Sequence, residues 1–168
     1  TPLSYAAASG HSDIVAALLN NDQVDVDSKD KALYTPLCYA SENGHAGVVK
    51  QLLDTGKVSL ESKTYNDWRN KGGMTPLLLA SRGGHDPVVK QLLDTRKVDV
   101  DGRNALEQTS LSLAAQHGHH GVVEILLATN KVEIDSKDIL GRTPFCYAVL
   151  YRHEAVIYQL LDTGQVDI

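Results

Sequence analysis

Histidine, cysteine and carboxylate side chains are the groups in this sequence that could hold a metal, attack as nucleophiles or move protons, and their spacing limits all three. There are seven histidines, and His117, His119 and His120 lie together. Such a cluster can pick up adventitious metal, but no Cys or carboxylate at ligand spacing completes a defined site. Cys38 and Cys146 each lack a neighbouring His that would generate a thiolate. Asp25/Asp27, Asp99/Asp101 and Glu133/Asp135 look like paired carboxylates, yet they alternate with apolar residues and lack the dense ligand series, central Gly and closing Glu of a calcium loop. They are expected to form a solvated edge. His153-Glu154 is not followed by a second His at the zinc-protease spacing, and there is neither a Gly-x-Ser-x-Gly nor a phosphate-cradling Gly loop. No catalytic group and no cofactor is expected.

Composition narrows the classes further. The 168 residues are 42% apolar and 22% charged, which suits one folded domain or one continuous array and argues against disorder. Aromatic residues make up only 5%, and Trp68 and Phe145 are the sole examples of their types, so the interior must come from Leu, Val, Ile and Ala. A net charge of −5 with no long basic run gives little support for nucleic-acid binding. No apolar stretch approaches the ~20 residues that span a bilayer and no leader opens the chain, so a soluble protein without membrane contact is expected.

The elements that position these side chains are dictated by an internal repeat. Thr-Pro-Leu at Thr1 returns at Thr35 and Thr75, then as Thr-Ser-Leu at Thr109 and Thr-Pro-Phe at Thr143, with spacings of 34, 40, 34 and 34 residues. Gly-His recurs at Gly10, Gly44, Gly84 and Gly118, Arg152 stands in place of the fifth Gly, and a Leu pair opens at Leu18, Leu52, Leu92, Leu126 and Leu160. Five copies are present, starting at 1, 35, 75, 109 and 143. In each, Thr caps a short first helix, Pro presets its first turn and Gly supplies the left-handed residue that closes it. A second helix follows, with an apolar stripe such as Val48, Val49, Leu52 and Leu53. The alternation Val24-Asp25-Val26-Asp27 and the turn-rich residues after it predict a short β-hairpin arm between helix pairs. Ala6, Ala40, Ala80, Ala114 and Ala148 occupy one repeat position and predict close approach of neighbouring helices.

These marks resemble the ankyrin repeat, whose signature opens Thr-Pro-Leu-His-x-Ala with a period of about 33 residues. The resemblance covers the whole chain and implies an all-α ankyrin-repeat solenoid of stacked helix-turn-helix pairs. The family's His is replaced by Ser4, Cys38, Leu78, Ser112 and Cys146. The 34-residue period and the Val-Asp-Val-Asp-Ser-Lys-Asp arm also resemble arrays of large fungal multidomain signalling proteins. Stacked layers about 10 Å apart would keep the five repeat-position histidines (His11, His45, His85, His119, His153) from sharing one metal. In the family this His steadies the turn between helices. The same spacing places Cys38 and Cys146 roughly 30 Å apart, beyond disulfide reach. Two free thiols suit an intracellular setting, cytoplasmic or nuclear.

The expected function is non-enzymatic binding of a protein or peptide, or of another domain of the parent chain. The resemblance implies that hairpin tips and first-helix ends line a concave partner groove: Tyr34, Met74, Leu106, Gln108, Leu140 and Arg142 from the tips, and Glu42, Arg82, Gln116, His117 and Tyr151 from the helix ends. The 40-residue spacing marks a six-residue insertion within 62–70. Its Tyr65, Trp68 and Arg69 could anchor a partner, or Trp68 could fold back over the arm. Both ends fall within a copy, and Phe145, Val149, Leu150, Tyr151 and Ile157 give the last one an apolar face, so an excerpt of a longer array is expected, with end-to-end self-association as the alternative. Rival readings are a structural spacer or self-association module, and a regulatory sensor arm of a larger enzyme or NTPase switch.

Overall fold

In the computed structural model, which describes residues 1–65 and 72–167, the five threonines act as expected. Thr1, Thr35, Thr75, Thr109 and Thr143 each accept on Oγ1 the backbone N–H three residues on, at 3.2–3.3 Å. That satisfies one donor left open at a helix start. Ten helices follow among the described residues: α1 (Pro2–Ala8), α2 (Ser12–Leu19), α3 (Pro36–Glu42), α4 (Ala46–Asp54), α5 (Pro76–Gly83), α6 (Asp86–Asp94), α7 (Ser110–His117), α8 (His120–Leu127), α9 (Pro144–Leu150) and α10 (Glu154–Asp162). First helices α1, α3, α5, α7 and α9 pack each on the next, and α2, α4, α6, α8 and α10 form a second row behind them. None is long and apolar enough to cross a membrane.

One apolar cluster runs through all five layers, with Leu52, Leu92, Leu126 and Leu160 inaccessible to solvent. Ala40, Ala80, Ala114 and Ala148 are equally buried, as close helix approach requires. Gly84 and Gly118 end α5 and α7 at φ of 71° and 73°, and Arg152 takes the same left-handed conformation at 60°.

The histidine after each glycine ties its copy to the one before. Nε2 of His45, His85, His119 and His153 donates to the carbonyls of Ala8, Glu42, Arg82 and Gln116 at 2.8–3.0 Å. Their rings lie over Gly10, Gly44, Gly84 and Gly118, where an added Cβ would collide with them. Glycine is required there by both the backbone angle and the neighbour. His11, the first of the series, is exposed and makes no such bond. Replacing His85 by Ala is expected to cost about 1–2 kcal/mol in urea unfolding, through a lost inter-repeat hydrogen bond and lost packing, whereas His11→Ala should change the midpoint little.

The arms are not β-hairpins: no strand occurs among the described residues. Backbone bonds such as Asp30 N–H to the Tyr34 carbonyl at 3.1 Å and Asp138 N–H to that of Arg142 at 3.0 Å close the arms, and side chains reinforce them. Asp30 Oδ1 accepts the N–H groups of Ala32 and Tyr34, both at 2.9 Å, and Asn104 and Asp138 fold their arms in the same way. Adjacent tips share single backbone bonds, Tyr65 to Ala32 at 2.7 Å and Ile139 to Leu106 at 3.1 Å, too few to make a sheet. Of the alternating carboxylates, Asp25, Asp99 and Glu133 are exposed as expected of a solvated edge, but their partners are half-buried and bonded. Asp27, Asp101 and Asp135 accept the backbone N–H of Ser59, Glu133 and Asp167 in the following arm, at 2.9–3.1 Å. Cys38 is buried as a free thiol, but Cys146 is exposed, since its layer is the last one described.

Candidate protein-binding groove

Inner helices and arm tips face a common hollow. Its depth depends on the residue four positions after each cap Thr: Tyr39 in the second copy, Leu79 and Leu113 in the third and fourth, and Tyr147 in the fifth. The shorter Leu113 opens a cavity of about 300 Å3 beside Tyr147. Met74, Arg82, Leu106, Gln108, Gln116, His117, Arg142 and Tyr151 line it together with Asn104, Leu113 and Tyr147. Side chains from α5, α7, the turn after α9 and the arms leading into copies three to five thus converge on one place.

A hydrogen-bond network fixes the wall. Tyr147 Oη donates to Asp138 Oδ2 at 2.6 Å and accepts from Gln108 Nε2 at 2.8 Å. The same Nε2 reaches Gln116 Oε1 at 3.1 Å, while Asn104 Nδ2 donates to Gln108 Oε1 at 3.1 Å. Arg142 Nε lies 3.3 Å from Asp138 Oδ2, with its guanidinium carbon 4.9 Å from the centre of the Tyr147 ring. Burial pushes the Asp138 carboxyl up, but hydrogen bonds from Tyr147 and from the N–H groups of Arg142 and Leu140, with the Arg142 charge, outweigh it and hold the group below its ordinary value. The Tyr147 phenol is pushed up to about 12, by burial first and then by the Asp138 hydrogen bond and charge. Tyr39 repeats this bond to Asp30 Oδ2, and burial with that carboxylate raises its phenol too. Across the groove Arg82 pairs with Glu42 at 2.7 Å.

Other candidates are buried or lie outside the cavity. Tyr34 turns inward and is buried against the Tyr39 ring, 4.8 Å between centroids, so it offers no contact area to a partner. Met74 and Gln108 line the cavity but are 1% and 4% exposed, and so form its floor and wall rather than free anchors. Each of the three directly precedes a cap Thr, where the chain turns back toward the core. Tyr65 and Leu140 are 63% and 66% exposed, outside the cavity. Trp68 and Arg69 fall outside the described residues. His117 and His119 stack with ring centroids 6.0 Å apart, and each places one ring nitrogen on a carbonyl oxygen, His117 Nδ1 on Leu113 and His119 Nε2 on Arg82. Burial is the main cause that lowers the His119 value.

Sequence reasoning missed Asp30, Asn104, Asp138, Leu113, Tyr39 and Tyr147. A signal was present: Asp and Tyr stand nine residues apart in Asp30/Tyr39 and Asp138/Tyr147, whereas Asn104 pairs with Leu113.

The geometry of paired helices, capping threonines and a one-sided groove meets a direct match in sequence. A family model described as "Ankyrin repeats (3 copies)" matches residues 1–64, 57–138 and 99–168. The chain belongs to the ankyrin-repeat family. Ankyrin repeats are generally protein-interaction modules and typically non-enzymatic. A search among curated proteins gives no match.

Proposed function

We propose that this ankyrin-repeat chain is a non-enzymatic binding module in which the five copies act as a single array over 1–168 and the groove at copies three to five receives a segment of another protein, or of another domain of the parent chain. The observation that carries this reading is the cavity itself, where three copies contribute polar side chains held by their own network. Exposed Leu140 and Tyr65 extend the available surface beyond it. The period and arms support placement among arrays of the kind found in large fungal multidomain signalling proteins, and the buried free thiol of Cys38 supports an intracellular setting.

A spacer role is the second reading, favoured by one observation, the burial of Tyr34 within the chain. The two separate in one experiment. Replacing Arg82, Gln116 and Tyr151 together by Ala should abolish capture of a native partner while leaving the melting temperature within about 4 °C, because the Gln116 carbonyl that His153 uses is retained. Undiminished capture by that variant would refute the groove assignment.

A further inference from the structure

The chemistry of the cavity selects among partners. Its lining holds two guanidinium groups, Arg82 and Arg142, and no carboxylate among the described residues. Arg142 uses Nε on Asp138, while its two Nη groups make no hydrogen bond among the described residues, and its side chain is 37% exposed. Gln116 accepts from Gln108 on Oε1, and this fixes the amide so that Nε2, also without a partner among the described residues, is the remaining donor. The Asp138 charge that offsets Arg142 is withdrawn beneath the surface, with that side chain 1% exposed and already accepting from two backbone N–H groups and Tyr147. The cavity therefore presents donors and, at Arg142, positive charge whose compensating carboxylate is occupied behind it, while Arg82 is held beside the partly exposed Glu42.

Resting on the reading of the groove as a protein-binding surface, we propose that its occupant is an acidic peptide segment, with a Glu or Asp carboxylate seated on Arg142 and Gln116 and facing Arg82. A guanidinium and an amide N–H match the two oxygens of a carboxylate through charge-assisted hydrogen bonds. A single negative charge suits the site better than a phosphate dianion, because Glu42 and Asp138 already partly neutralise the two arginines at 2.7 and 3.3 Å.

The test is a titration of the isotope-labelled chain, followed by NMR, with acetyl-Ala-Glu-Leu-Glu-Ala-amide, its Gln-for-Glu counterpart and its phosphoserine-for-Glu counterpart. The Glu peptide should give saturable shifts at the Gln116 side-chain amide and the His117 backbone, with the Gln peptide at least about tenfold weaker and the phosphoserine peptide no tighter. Arg142→Gln should lose about tenfold in Glu-peptide affinity, whereas Lys50→Gln, on the outer row, should change nothing. Because Arg142 meets Asp138 through its backbone N–H as well, the turn survives that substitution, and an unchanged melting curve checks it. Equal binding of the Gln peptide within the groove would overturn the acidic preference and leave the protein-binding reading standing. Tighter phosphoserine binding, shifts confined to another face, or no shift up to about 10 mM peptide would overturn the proposal, and the capture experiment then judges the groove by itself.

Discussion

Leu52→Ala should lower the unfolding free energy by about 2–5 kcal/mol, the range for truncating a fully enclosed Leu. Leu52 has no solvent exposure and sits on α4 between α2 and α6. Removing its isobutyl group loses the transfer free energy of those atoms and leaves a space that rigid helices on both sides cannot close. The chain carries its own control. Leu18 occupies the same register but is only partly buried, because its layer is packed from one side among the described residues. Leu18→Ala should cost less than half as much. Urea unfolding of the two variants, read by circular dichroism, gives the comparison, and equal losses would mean that coverage by a neighbouring layer is not what stabilises the second helix.

Asp138→Ala should be the second most damaging substitution, at about 2–4 kcal/mol, because one carboxylate serves four donors. It accepts the N–H groups of Leu140 and Arg142 at 2.8 Å each, the Tyr147 hydroxyl at 2.6 Å and Arg142 Nε at 3.3 Å. With Ala in its place the arm loses its fold, and the Tyr147 hydroxyl loses the oxygen to which it donates. Asp138→Asn keeps an acceptor for the turn and gives up the charge, so it should fall between wild type and Ala. The pH dependence has a definite sign. The carboxyl is held below its ordinary value in the folded state, so its contribution is fully present above the unfolded value and is lost as pH falls through the folded one. The wild-type advantage over Asp138→Asn should therefore shrink as pH falls from about 5 to about 2. An advantage that stayed constant over that range would contradict the assignment.

The helices were legible because their signals are local. A Thr with Pro behind it acts as a cap, Gly ends the helix, and a Val-Val-x-x-Leu stripe shows its buried side. The arms were misread for a related reason. Alternating Val and Asp is the pattern of a half-buried strand, and here Asp27, Asp101 and Asp135 use it to bind the backbone of the next arm instead. The groove was legible in part. Arg82, Gln116, His117 and Tyr151, at first-helix ends, line the cavity, yet the sequence does not show that Tyr34, Met74 and Gln108, each just before a cap Thr, turn inward while Arg142 at the same position stays partly exposed, and so all four were expected on the surface. Nor does repeat position alone reveal that Leu113 makes the cavity. That follows from the absent phenol beside Tyr147, a property of two neighbouring copies taken together.

In this array each layer meets only its immediate neighbours. Double-mutant cycles on Leu-to-Ala substitutions test this directly, since coupling between two sites reports contact through shared packing. Leu52 with Leu92, in adjacent layers, should show a coupling of about 0.5–2 kcal/mol, and Leu52 with Leu160, three layers apart, should be additive within about 0.5 kcal/mol. Equal coupling for the two pairs would contradict single-file stacking, and the groove built on it would have to be abandoned.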